Sequence, residues 1–160
     1  MGATKRSDSA LAIVTAAVAF ALFWPLWELL VRHGHARPYP WRDATAQLGP
    51  LLLPRPTGRL FESQVKLEEY VDAADPGRKA PRILRKGREA LLVATGPRSS
   101  TGYGVDIVSV TEERSRILVR AREQTPSLRD SVRPIVTSPF RLITFRATDK
   151  PVFLDWEGRP

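Results

Sequence analysis

Two rhythms of apolar residues divide this chain. From Ser9 to Trp27, nineteen consecutive residues carry no charge, and the stretch reads ALAIVTAAVAFALFWPLW from Ala10 onward. A helix of that length rises about 28 Å, close to the hydrocarbon thickness of a bilayer. It lacks the polar stripe of a helix at a soluble surface. Trp24 and Trp27 close it where indoles favour the membrane–water boundary, and Pro25 falls near the end, where a kink is tolerated. Beyond residue 88 the rhythm shortens. Ala90–Thr95, Val105–Val110, Ile117–Arg122, Val132–Thr137, Leu142–Phe145 and Val152–Leu154 are short apolar or alternating runs separated by Gly, Pro and charged residues. Such runs predict strands, with Glu112-Glu113-Arg114 as a hairpin loop. The fold class expected is all-β: a small antiparallel sheet or sandwich, preceded by one transmembrane helix and a proline-rich linker.

The segments between these rhythms set the domain limits. Residues 1–31 form the membrane anchor or, as the alternative, a signal peptide. Lys5 and Arg6 precede the apolar run and Ala19-Phe20-Ala21 resembles a cleavage site, but the apolar residues continue past it. The short leader favours an anchor with its N-terminus inside, giving a single-pass membrane protein with an extracytoplasmic C-terminal domain. Residues 32–59 hold Pro38, Pro40, Pro50, Pro54 and Pro56, and predict an extended linker. Within it, Leu51-Leu52-Leu53 is an apolar patch that suits docking on the following domain or on lipid. Residues 60–160 are the β domain. At its start, Leu60–Asp72 fits an alternating strand or one helical face, and a strand over Gln64–Val71 is the preferred reading. Asp75-Pro76-Gly77 predicts a turn.

Charge narrows the partners. The net charge is +8, and arginine supplies 20 of the 25 basic residues. Six of them, Arg78, Lys79, Arg82, Arg85, Lys86 and Arg88, crowd into eleven positions. They read either as a solvated loop or as an electrostatic contact for anionic lipid or an acidic partner. No aromatic residue is interleaved to stack bases, so nucleic acid is not an expected partner.

Catalytic chemistry finds few footholds. There is no cysteine, and the two histidines, His33 and His35, both precede the β domain. No nucleophile elbow, zinc helix or phosphate loop is present. No catalytic residue, metal or cofactor is expected. The segment Gly96–Gly104 (GPRSSTGYG) is the most distinctive part of the domain. Its backbone and Arg98 suit an anion cradle, while its glycines equally suit a tight turn with Tyr103 packed beneath. Under the second reading, truncating Tyr103 would cost about 2–4 kcal/mol.

The stretches ALLVATGPRSSTGYGVDIVSV (Ala90–Val110), RILVRAREQTPSLRDSV (Arg116–Val132) and TSPFRLITF (Thr137–Phe145) resemble the C-terminal domain of the PrcB family. The matching positions are Gly96, Thr101-Gly102-Tyr103, Ile107, Val119, Glu123, Pro126 and Pro139-Phe140. The turn departs from the family's Thr-Gly-Gly-Tyr and reads Ser-Thr-Gly-Tyr-Gly here. That family is named for a subunit of a bacterial surface protease complex. The resemblance implies a non-catalytic accessory protein with a protein partner, in particular an envelope protease. Arg98, Thr101, Gly102 and Tyr103, with the basic cluster, are then the candidate interaction residues. The alternative is a lipid- or glycan-binding module, or a hydrolase, using the Gly96–Gly104 loop and that cluster.

Overall fold

A computed structural model describes residues 36–158. The apolar run Ser9–Trp27, expected to span a membrane, lies outside the described residues, as do His33 and His35. Among the described residues no helix is long and apolar enough to cross a membrane.

Among the described residues, eight strands and two helices follow one another in the order β1 (Arg37–Pro38), β2 (Trp41–Asp43), α1 (Thr45–Leu48), β3 (Thr57–Phe61), α2 (Gln64–Ala74), β4 (Arg88–Ala94), β5 (Gly104–Glu112), β6 (Ile117–Gln124), β7 (Phe140–Arg146) and β8 (Val152–Glu157). They build two four-stranded sheets, ordered β1-β5-β6-β8 and β2-β7-β4-β3. Leu91, Val93, Ile143 and Phe145 of the second sheet meet Val105, Val110, Ile117, Val119 and Ala121 of the first in one buried cluster. The other face of the second sheet is covered too. Leu67 and Val71 of α2, with Leu48, Leu51 and Leu53, pack there against Ala90, Leu92 and Leu142.

This third layer explains the local sequences. β4 is buried on both faces, so it reads as a continuous apolar run, Ala-Leu-Leu-Val-Ala. β6 has one face in solvent, so Arg120 and Arg122 alternate with buried Val119 and Ala121.

Four expectations change. The linker expected over residues 32–59 does not hold from residue 37 onward, since β1, β2, α1 and β3 all take part in the fold. Pro38 ends β1, the other four prolines fall between these short elements, and Leu51 and Leu53 dock on the core. Gln64–Val71 is helical, not a strand. Ser63 Oγ accepts the Lys66 N–H at the helix start, and the helical spacing of Leu67 and Val71 matches the single face that is covered. Val132–Thr137 is not a strand of either sheet. It contributes one bridge, Arg98 to Thr137, because Pro134 lacks an N–H and Val132, Ile135 and Val136 find no layer to bury against. Finally, the sheets are not wholly antiparallel. β8 lies parallel to β6, with Val152 opposite Ile117, because the chain visits the second sheet as β7 between them.

A groove behind the glycine-rich loop as candidate functional site

At one end of the sandwich the chain leaves β4, makes the Gly96–Gly104 loop and enters β5. The loop is closed by close approaches. Gly96 has φ +76, and a Cβ there would stand 2.9 Å from the backbone of Arg55 and Pro56. At Gly102 a Cβ would come within 2.5 Å of Pro126 Cβ and Val132 Cγ1. Only glycine fits either place.

Hydrogen bonds tie the loop to the segment that precedes β7. Arg98 N–H donates to Thr137 O at 2.8 Å and Thr137 N–H donates back at 3.0 Å. Thr101 N–H donates to Arg133 O at 3.1 Å, while Arg133 N–H donates to Thr101 Oγ1 at 3.1 Å. Thr95 N–H reaches Pro139 O at 3.2 Å. The Arg98 guanidinium grips Glu123 of β6 at both carboxylate oxygens, with Nη2 3.0 Å from Oε2. That carboxylate holds the Arg98 pKa above its ordinary value, against the opposing pull of burial. Tyr103 lies beside the same guanidinium, its ring centre 6.0 Å from the Arg98 carbon.

Residues far apart in sequence therefore meet here: Gly96, Thr101, Gly102 and Tyr103 with Glu123, Pro126 and Pro139. Between this loop, the segment before β7 and the end of α2 opens a groove of about 690 Å³. Tyr103, Thr101, Val136 and Pro139 line one wall, and Leu51, Leu52 and Ala74 the other. Leu52 is 69% exposed and Val136 64%, with Ile135 and Val132 also exposed beyond the rim. Those aliphatic side chains escaped sequence reasoning. Val132, Ile135 and Val136 resemble a strand, and Leu51-Leu52-Leu53 does not show which leucine turns outward.

Four of the groove's polar side chains are engaged. Thr101 Oγ1 accepts from Arg133, Thr137 Oγ1 donates to Ser100 O at 2.9 Å, and Ser138 Oγ donates to Leu53 O at 3.2 Å. Asp75 pairs with Arg78 at 3.4 Å. With the Arg98 and Thr101 N–H groups also bonded internally, two donors of the expected anion cradle are already taken. Among the described residues no group of three His, Cys, Asp or Glu side chains could hold a metal ion.

The six residues of the basic cluster differ in their surroundings. Arg78 donates to Leu48 O and Pro50 O, fastening the end of α1, and Arg88 donates to Thr144 O at 3.1 Å. Lys79, Arg82, Arg85 and Lys86 are exposed, but the loop that carries them runs back along α2. Gln64 pins that loop, donating to Pro81 O and accepting from Leu84 N–H. Arg85 and Lys86 thus end at the opposite end of the sandwich from Arg98 and Tyr103. Tyr103 itself is partly buried, with its ring against the Arg98 guanidinium.

No curated protein and no solved structure matches the chain. A family model described as PrcB C-terminal matches residues 90–146, which run from β4 through β7 and carry the loop and one wall of the groove. Over those residues the chain is similar to the C-terminal domain of the PrcB family.

Proposed function

We propose that this protein is a membrane-anchored, non-catalytic accessory protein whose β domain binds a partner protein through the groove behind the Gly96–Gly104 loop. The PrcB C-terminal family suggests an accessory domain associated with a protease complex. The observation that carries the reading is the set of exposed aliphatic side chains, Leu52 and Val136 foremost, gathered where the family's motif residues converge. Exposed apolar side chains clustered at a concave surface favour a protein contact. The engaged hydroxyls support binding over chemistry, because none stands beside a free base. The uncharged run Ser9–Trp27 supports anchoring, with the domain outside the cytoplasm.

Affinity purification of the full chain from native membranes tests the groove. A partner protein held by the parent is expected to be lost with Leu52→Asp and with Val136→Asp, and kept with Val108→Asp, which alters an exposed site elsewhere. Retention in all three variants would remove the groove from the interaction.

A further inference from the structure

The two ends of the sandwich differ in one respect that bears on how the domain would stand at a membrane. Arg37, the first strand residue, pairs with Glu112, the last residue of β5. The chain therefore comes in at the end that holds the β5–β6 hairpin. The same end holds the turn at Gly87, whose carbonyl accepts Ala147 N–H at 2.9 Å, and Pro151, whose carbonyl accepts Ile117 N–H at 2.9 Å. Gly104, Gln124 and Phe140 mark the other end, with the groove. Nine residues of β5 separate the two by about 27 Å.

We propose that the end where the chain comes in docks on an anionic bilayer surface and so holds the groove away from the membrane. This rests on the reading of Ser9–Trp27 as an anchor. Only nine residues lie between Trp27 and Arg37, a reach of at most about 35 Å. Arg37, Arg85, Lys86, Arg114 and Arg146 are exposed at this end. None of the five pairs with a carboxylate among the described residues. Of the neighbouring acids, Glu112 pairs with Lys150 at 2.7 Å, Glu113 with Arg116 at 2.6 Å and Glu62 with Lys66, Glu89 is buried, and Asp149 is exposed. Charge alone does not choose this end, since Arg129 and Arg133 are exposed at the other. The place where the chain comes in does. Each cation held near anionic headgroups adds roughly a fivefold preference for the docked state.

The chain has no cysteine, so single probe sites are available. A fluorophore is placed on Ser115→Cys, in the hairpin, or on Leu128→Cys, at the groove end, in the full chain in lipid nanodiscs. Quenching by neutral acrylamide is then read. With phosphatidylglycerol in the bilayer, the Ser115→Cys label is expected to be shielded. It should open in pure phosphatidylcholine, and in salt near 1 M, where screening acts within about 3 Å. The Leu128→Cys label should stay open throughout. Replacing Arg85, Lys86, Arg114 and Arg146 together with glutamine should open the Ser115→Cys label and leave the unfolding midpoint unchanged. A Ser115→Cys label open in every bilayer, or equally shielded in neutral lipid, overturns the proposal, as does shielding of the Leu128→Cys label instead. An alkaline carbonate wash reads the anchor separately. A chain that stays in membranes with an open Ser115→Cys label keeps the anchor and loses the docking. A chain stripped by the wash, yet shielded before it, does the reverse.

Discussion

Arg98 and Glu123 form a two-point ion pair that joins the glycine-rich loop to the end of β6, and the Glu123 side chain is only 10% exposed. Removing one partner leaves the other charged and largely desolvated. Arg98→Ala is expected to cost about 2 kcal/mol in urea unfolding, and a double cycle with Glu123→Ala to show coupling of about 1–3 kcal/mol. Arg98→Lys should recover only part of that loss, because an ammonium cannot make the forked contact.

The leucine triplet gives a sharper contrast. Leu53 is 1% exposed and Leu52 69%, although they are neighbours in sequence. Leu53→Ala should lower stability by about 2–5 kcal/mol through transfer and cavity terms. Leu52→Ala should stay within about 0.5 kcal/mol. Equal and small effects would return this segment to the role of a linker.

The glycine positions can be ranked the same way. Gly102→Ala drives a Cβ into Pro126 and Val132, whereas Gly87 has φ +77 and open space around it. Overpacking at Gly102 is expected to cost about 1–3 kcal/mol. Gly87→Ala meets backbone strain alone, at about 1 kcal/mol, and should disturb neither the groove nor partner binding.

Glu89 supplies a pH dependence. It is 8% exposed between the sheets, and its Oε2 has no hydrogen-bond partner among the described residues. Burial raises its pKa above 4.5, and the nearby Glu62 and Asp149 charges add to the rise. A folded-state pKa above the unfolded one means that stability is full at low pH and is lost as pH rises through the raised value. Glu89→Gln should therefore stabilise the domain by about 1 kcal/mol near pH 7 and match the parent near pH 4. A constant difference between the two would assign the effect to packing.

How far the sequence reveals this fold depends on which faces are covered. Ile117–Arg122 was legible because one face meets solvent and the alternation survives. Gln64–Val71 was not, because Leu67 and Val71 satisfy a period of two and a period of 3.6 alike, and Ser63 alone marks the cap. Val132–Thr137 has the β-branched composition of a strand, but Pro134 removes a ladder donor and no second layer covers Val132, Ile135 and Val136. The loop residues Arg98, Thr101, Gly102 and Tyr103 stood out by their glycines and by the family resemblance. Their connection to Glu123, Pro126 and Pro139 is a matter of tertiary closure that no local pattern encodes. The opposite wall, Leu51, Leu52 and Ala74, lies outside the matched residues 90–146. It reaches the groove only because the proline-rich stretch folds back onto the second sheet.

The proposed function places a partner protein in the groove. A photo-crosslinking side chain at Val136, in the full chain in native membranes, should give one discrete protein adduct. Leu52→Asp should suppress it, and the same group at Val108, on the outer face of the first sheet, should not give it. The same adduct from both positions, or none at Val136 while a partner still co-purifies, would contradict the claim.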